Sequence, residues 1–416
     1  MNSKKMKNVS AMAAAMLLSL AVAGCSQSQD GNANAATNQT SSQAANTQAD
    51  STQNSTTQST GTTSSGTSGA SALDTAEMFS DRDLEQSADL SSATAIGLVS
   101  GKDVTLSAEG VYVLSGEADH VTVTVEAPED AKVQIVLDGA SITNEDAPAI
   151  YVKSADKVFV TSADGQNHLE VTGNYAAGGE TNVDAVIFSK ADLTLNGTGT
   201  LDIVSAQGNG ISSKDDLKVT GGTYTIQSSA DAMEANDSIR VYDGTITIDT
   251  GKDGLHSENV DDASLGYIFI QNGTLNITAA DDAIRGNSIV QIDGGTIDIK
   301  DSEEGIEATT IQINDGQITL YAKNDGINAS PKIDATPVIE VNGGTISVSM
   351  GSGDTDAFDA NGNIAINGGT INVEATSAFD ADGTAQLNGG TVTVNGEQIT
   401  EITVSRGGGG GRGKRF

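Results

Sequence analysis

The sequence predicts an all-β chain: a single-stranded right-handed parallel β-helix, a solenoid of roughly a dozen coils. Three observations lead there. First, Gly222, Gly244, Gly273, Gly295, Gly316, Gly344, Gly369 and Gly390 are spaced by 22, 29, 22, 21, 28, 25 and 21 residues, and each follows Gly, Asp or Asn. These residue types tolerate positive φ, so each pair marks a tight turn. Second, alternating apolar residues flank the turns, as Val290/Ile292 and Ile297/Ile299 do around Gly295; a period of two is the strand signature. Third, each copy carries another short apolar segment, anchored in turn by Met233, Leu255, Ile284, Ile306, Ile327, Phe358 and Phe379. A small residue follows two places on, from Ala235 to Ala381. One strand–turn–strand unit alone would read as an antiparallel hairpin. Three strands in so short a copy instead describe one coil of a parallel β-helix, paired with the next coil at about 4.8 Å. Composition agrees. With 48 Gly, 4 Pro, no Trp and 3% aromatic residues among 416, the core must come from Val, Ile, Leu and Ala, which suits thin stacked β layers.

The chain divides into four parts. Residues 1–25 read as a lipoprotein signal peptide: Lys4, Lys5 and Lys7 precede an apolar run from Ala11 to Ala23. Val22-Ala23-Gly24-Cys25 resembles a bacterial lipobox, in which Cys25 is lipidated after cleavage. Cys25 is the only cysteine, so no disulfide can form within one chain. Residues 26–71 hold almost only Ser, Thr, Gln, Asn, Ala, Gly and Asp, with no large apolar residue to offset the entropy of ordering. They are expected to be a flexible tether with a root-mean-square span of about 35–40 Å. Residues 72–404 are the expected parallel β-helix domain, with coils from about Val104 to Val404 and the segment Ala72 to Gly101 expected to cap the first coil. Weaker copies are visible upstream, as Val133/Ile135/Leu137, Val158/Val160, Leu193/Leu195 and Leu201/Ile203. Residues 405–416 form a Gly/Arg-rich tail, expected to be flexible. No stretch after the leader is apolar enough for a spanning helix. The expected location is the extracellular face of the bacterial cell membrane, with the membrane as a partner through the Cys25 lipid.

The formal net charge is -35, from 56 acidic and 21 basic residues. That excess argues against nucleic acid as a partner and suits cation binding. Its distribution is more telling. Asp281-Asp282 and Glu303-Glu304 stand at the same point of consecutive repeats. The residue before the third strand is Asp231, Asp253, Asp282, Glu304, Asp325 and Asp356 in successive copies, and the residue after its apolar anchor is Glu234, His256, Arg285, Glu307, Asn328, Asp359 and Asp380. In a parallel stack these become a ladder of carboxylates. Two such charges about 5 Å apart repel by roughly 3 kcal/mol at an effective dielectric near 20. A hard divalent cation with oxygen ligands reverses that sign, and flexible multi-carboxylate sites favour Ca²⁺ over Mg²⁺. The expected ligands are Asp281, Asp282, Glu303, Glu304, Glu307, Asp325, Asp356 and Asp359. A solvated acidic edge that discourages aggregation is the plainer alternative.

Residues 104–173, from VTLSAEGVYVLSGEADHV to NHLEVTG, together with the later DGI-x-A and GGT-I-x-V repeats, resemble a bacterial family of secreted and lipoprotein carbohydrate-binding domain-containing proteins. The LDGASITN and DGINA segments are its more specific parts, and the resemblance covers about Ala72 to Val404. It implies a fold similar to pectate-lyase-like right-handed β-helices, calcium sites, and binding of cellulose or of acidic sugars such as polygalacturonate. The absence of Trp weakens the case for a stacking platform for neutral glucans; Tyr224 falls on an inward phase, whereas Tyr242 precedes a turn and is expected to be exposed. Calcium-bridged recognition of an acidic polysaccharide follows as the preferred mechanism. Two alternatives stand beside it. A Ca²⁺-dependent polysaccharide lyase would use Arg285 as its base. A structural adhesin would need no sugar site.

Overall fold

The structure is a computed structural model describing residues 73–176, 182–353 and 355–404. The expected signal peptide with Cys25, the 26–71 tether and the 405–416 tail lie outside the described residues. Among the described residues the fold is nearly all β, and one three-residue 3-10 turn, Leu90–Ser92, is the only helical element.

The strands form a parallel β-solenoid of about 12 coils. Each regular coil contributes three strands to three columns. In one coil these are Ile289–Ile292 before the turn, Thr296–Asp301 after it, and Ile306–Ala308 in the third column. The third column is a separate 12-stranded sheet that begins at Val104–Leu106 and ends at Ser377–Ala381. The first two columns are joined into one sheet by long strands near the N-terminal end. Lys132–Asn144 is one of these: Lys132 to Leu137 pairs with one column and Ser141 to Asn144 with the other.

The glycine pairs are corners, not hairpin turns. Val290 pairs with Ile268 of the previous coil and Ile311 of the next, while Ile297 pairs with Leu275 and Ile318. Both strands flanking Gly295 therefore bond to neighbouring coils. All eight turn glycines have positive φ, as at Gly344 (φ 82°), which is why the repeat keeps Gly there. The single antiparallel pair among the described residues, Thr391–Val394 with Glu397–Ile399, ends the sheet across Asn395 and Gly396, both at positive φ; this is the type I′ hairpin geometry.

Alternation in the strands becomes burial. Ile297 and Ile299 are buried, while Asp298 between them is only half-buried. The third-column anchors Met233, Leu255, Ile284, Ile306, Ile327, Phe358 and Phe379 are all at most 1% exposed, and the last two rings stack at 5.1 Å. Each fully buried side chain of this size is worth roughly 1.5–3 kcal/mol, so the interior row holds the coils together.

The segment expected to cap the first coil does so only in part. Thr94–Gly97 pairs with the strand Gly110–Asp119 and extends the sheet at that end. Residues 73–86 instead run as a strap along the outside of the pre-turn column. Met78 packs with Tyr267 and Phe269, and the Leu73 N–H donates to Gln291 Oε1. Arg82 lies 4.7 Å from the Phe159 ring centre. Gln86 accepts the Gly197 N–H and donates to the Thr220 carbonyl. Asp83 is fully buried, with Lys157 Nζ at 2.8 Å and the Thr194 hydroxyl at 2.7 Å. The strap also corrects the reading of Tyr242. Its ring is half-buried against Phe79, 5.3 Å between centres. Tyr224 is buried, as its phase predicts.

Candidate cation seam and the cleft beside it

The seam is a product of register. In the third column Glu234, His256, Arg285, Glu307, Asn328, Asp359 and Asp380 are successive Cα partners. Three residues before the first six stand Asp231, Asp253, Asp282, Glu304, Asp325 and Asp356. Parallel stacking thus sets the acids of one coil beside those of the next. Backbone contacts fix several of them. Asp231 Oδ1 accepts the Asp253 N–H at 3.1 Å, Asp253 Oδ1 that of Asp282 at 3.0 Å, and Asp325 Oδ1 that of Asp356 at 3.2 Å. One carboxylate oxygen links coil to coil, and the other faces its side-chain neighbours.

Three groups of ligating atoms result, each with all its atoms within 4.8 Å: Asp231–Asp253–His256, Asp253–Asp281–Asp282 and Asp282–Glu304–Glu307. Asp253 and Asp282 each belong to two groups, so the groups form one seam. It is not a solvated edge. Asp231, Asp253, Asp282 and Glu307 are between 0% and 5% exposed.

Burial drives the electrostatics. It pushes the Asp282 carboxyl up to about 9, with Glu304, Glu307, Asp253 and Asp281 adding like-charge repulsion. Burial and Glu307 raise Glu304 to about 7, and burial with Asp325 and Asp356 raises Asp359 to about 7. Burial also raises Asp253, with Asp231 adding to it. Two acids go the other way. Burial of Asp231 is outweighed by the hydrogen bond from His256 at 3.1 Å, and burial of Glu307 by Lys332, whose Nζ is 2.7 Å from Oε1. Burial of His256 is likewise outweighed by its acidic neighbours, which raise the imidazole.

Arg285 stands inside the seam. Its Nη1 is 3.7 Å from Asp253 and 3.9 Å from Asp282, and its Nε is 3.6 Å from Glu307. These are ion-pair distances beyond hydrogen-bond range, and the buried Nε has no hydrogen-bond partner among the described residues. Neither has Asp253 Oδ2, which is fully buried.

Of the eight residues expected to bind cation, Asp281, Asp282, Glu304 and Glu307 come together in these groups. Glu303 is exposed and outside them. Asp325 and Asp359 line a cavity of about 540 Å³ that continues from the seam through Glu304 and Glu307 to Asp380. Asp356 neighbours Asp325 on the adjacent rung. Asp231, Asp253 and His256 complete the seam at its other end. Their signal was their place in the repeat, three residues apart like the rest. Lys332 and Lys252, which reach Glu307 and Asp231 from loops, carried no such signal.

The donor chemistry fits a hard divalent cation at two of the three groups. Asp253–Asp281–Asp282 and Asp282–Glu304–Glu307 offer oxygen only, the set Ca²⁺ takes, and Asp253, a member of the first, has an Oδ2 that accepts no hydrogen bond among the described residues. The third group includes an imidazole, which suits Zn²⁺ or Cu²⁺ better than Ca²⁺.

Beside the seam, two coils carry long connections from the third column to the pre-turn column. These are residues 258–266 and 330–337, whereas the coils between them use only 287–288 and 309. The long connections account for the 29- and 28-residue glycine spacings. They enclose a cleft of about 480 Å³ with Arg285 and Asn287 on its floor.

A β-solenoid with an acidic seam and an adjoining polar cleft is a scaffold for ligand binding. A family model described as "Carbohydrate-binding domain-containing protein" matches residues 100–357, and the chain belongs to that family. A relative with the same description from Acetivibrio thermocellus is 32% identical over 133 residues, 31% of this chain and 46% of the relative. The match thus spans less than half of that relative's length. A solved structure, titled as the polysaccharide lyase-like protein from C. thermocellum in a gadolinium derivative, aligns at 25% identity with a TM-score of 0.44, over 70% of this chain and 99% of that one.

Proposed function

We propose that this protein is a cell-surface lipoprotein, anchored through Cys25, that binds acidic polysaccharide through Ca²⁺ held by the seam. The observation that carries the proposal is Asp282, shared by two all-carboxylate groups and raised by burial and its neighbours to about 9. Arg285 and Lys332 balance only part of this acid cluster, and a divalent cation supplies two further charges at once. The net charge of -35 repels a polyuronate at long range. A cation bridging protein and sugar carboxylates reverses that repulsion locally. Polygalacturonate-like chains fit this mechanism better than cellulose, which offers no carboxylate.

Catalysis by a lyase route is the weaker reading. A base must give up its own proton first, and Arg285 is pushed above its already high ordinary value: burial opposes its charge, but Asp253, Glu307 and Asp282 outweigh that. The test is a binding assay of polygalacturonate with the soluble domain in Ca²⁺ and in chelator, run alongside ultraviolet detection of unsaturated ends. Binding lost in chelator, with no product, is the expected result. Binding that persists in chelator removes the bridge, and steady product formation makes the protein an enzyme.

A further inference from the structure

We propose that the cleft between the 258–266 and 330–337 connections is the glycan-binding cleft, and that the sugar chain crosses the rod there instead of lying along it. The inference rests on the acidic-polysaccharide reading above and adds the place, the direction and the contacts.

The cleft is built by insertion. Leu255–Ser257, Ile284–Gly286, Ile306–Ala308 and Asp325–Ala329 are consecutive strands of one column, so the coils bearing the walls are three steps, about 14 Å, apart at the usual strand spacing. The two coils between them have almost no connection and leave the floor open. A passage bounded on two successive sides along the axis admits a chain only across it. Its volume of about 480 Å³ lies within the range of small-ligand sites.

The lining offers a uronate two cationic side chains, Arg285 and Lys332, beside two acids, Glu258 and Asp334. Val260, 81% exposed, with Ala263 on one wall and Pro331 and Ile333 on the other, offers apolar surface to sugar C–H faces. Arg285 and the buried Asn287 amide lie on the floor. A guanidinium fork matches a carboxylate in two parallel hydrogen bonds, and Arg285 makes no hydrogen bond to the three acids around it, which stand 3.6–3.9 Å away. A cation that takes up the charge of Asp253, Asp282 and Glu307 frees this fork for the sugar. The seam and the cleft therefore act together, with Arg285 as the shared residue.

The experiment compares wild type, Arg285→Gln and Val260→Asp in the full soluble domain, measuring polygalacturonate affinity in Ca²⁺ and, separately, affinity for Ca²⁺ alone. Arg285→Gln is expected to lose about tenfold or more in glycan affinity, while its affinity for Ca²⁺ alone rises because a competing cation is gone. Val260→Asp places a like charge on an exposed lip that the fold does not need; glycan affinity should fall several-fold with Ca²⁺ affinity unchanged. Glycan affinity within about twofold of wild type in both variants overturns the cleft while leaving the calcium bridge in place. Wild type that binds Ca²⁺ but no polygalacturonate overturns the acidic-glycan reading itself, and the carboxylate role of Arg285 with it.

Discussion

Arg285 and Glu307 are Cα partners on adjacent rungs of the third column, and Arg285 Nε stands 3.6 Å from Glu307 Oε2 without a hydrogen bond between them. The guanidinium acts as an internal counter-ion for Glu307, Asp253 and Asp282 together. Arg285→Ala should destabilise the metal-free protein by about 1–3 kcal/mol, less than for a sealed ion pair because the side chain is 27% exposed. The same change removes a charge that competes with Ca²⁺. The rise in melting temperature on adding Ca²⁺ should therefore be larger in Arg285→Ala than in wild type. An equal or smaller rise would show that Arg285 and the cation do not share the seam.

The metal-free seam also sets a pH dependence. Asp282, at about 9, and Glu304 and Asp359, at about 7, lie above their ordinary values of 3.8, 4.5 and 3.8. A carboxyl raised on folding contributes stability that is complete below its unfolded value and is lost as pH rises through its folded value. In chelator, stability should thus decline from about pH 4 to about pH 9. Asp231 and Glu307, which are lowered, act oppositely and only at acid pH. Added Ca²⁺ competes with the bound protons, so the calcium-dependent gain should grow with pH. Melts in chelator at several pH values check this; a melting temperature that climbs steadily from pH 5 to pH 9 would contradict it.

The fold was legible because its repeat is written in residue types: the positive-φ pairs at each corner, the apolar anchors, and the small residue after them. Most of the seam was legible for the same reason, since register turns equal repeat positions into neighbours. The strap was not. Residues 73–86 carry no repeat, and their partners Phe159, Lys218 (beside Asp83), Arg240 (donating to the Met78 carbonyl) and Phe269 occupy outward strand positions that a period-two reading assigns to solvent. Lys332 was hidden in an insertion, where no repeat position exists. The 29- and 28-residue glycine spacings mark where both insertions fall, but a spacing alone does not say that two loops share one cleft.

The strap supplies its own test. Asp83 is buried between Lys157 and Thr194, with Lys218 Nζ at 3.9 Å, and these contacts hold its carboxyl well below the usual range although burial opposes them. Asp83→Ala leaves Lys157 and Lys218 beneath the strap without their shared partner. A loss of about 3–5 kcal/mol is expected, together with earlier protease cleavage within residues 73–86. The pH dependence is opposite to that of the seam: the Asp83 contribution is present above the ordinary carboxylate range and is lost as acid protonates it. A cleavage pattern and denaturation midpoint equal to wild type would mean the strap is not held by this pair.

The corners of the solenoid make a final prediction about rank. Asn314, Asn342, Asn367 and Asn388 stack there, each donating its side-chain amide to the previous coil's residue. Asn367 donates to Asn342 at 2.9 Å and accepts from Asn388 at 2.8 Å, but the row is exposed. Water replaces most of what Asn367→Ala removes, so the cost should be about 0.5–1.5 kcal/mol. Gly344 is different. Its φ is 82°, and an added Cβ would lie 2.8 Å from the Gly316 carbonyl oxygen of the coil below. That oxygen accepts the Thr345 N–H, so it cannot retreat without breaking an inter-coil bond. Gly344→Ala therefore carries both a backbone penalty of about 1–2 kcal/mol and a clash that pries two coils apart. Urea denaturation of the two variants should place Gly344→Ala clearly below Asn367→Ala. The reverse order would mean that the side-chain ladder, and not the close backbone stacking, holds the corners together.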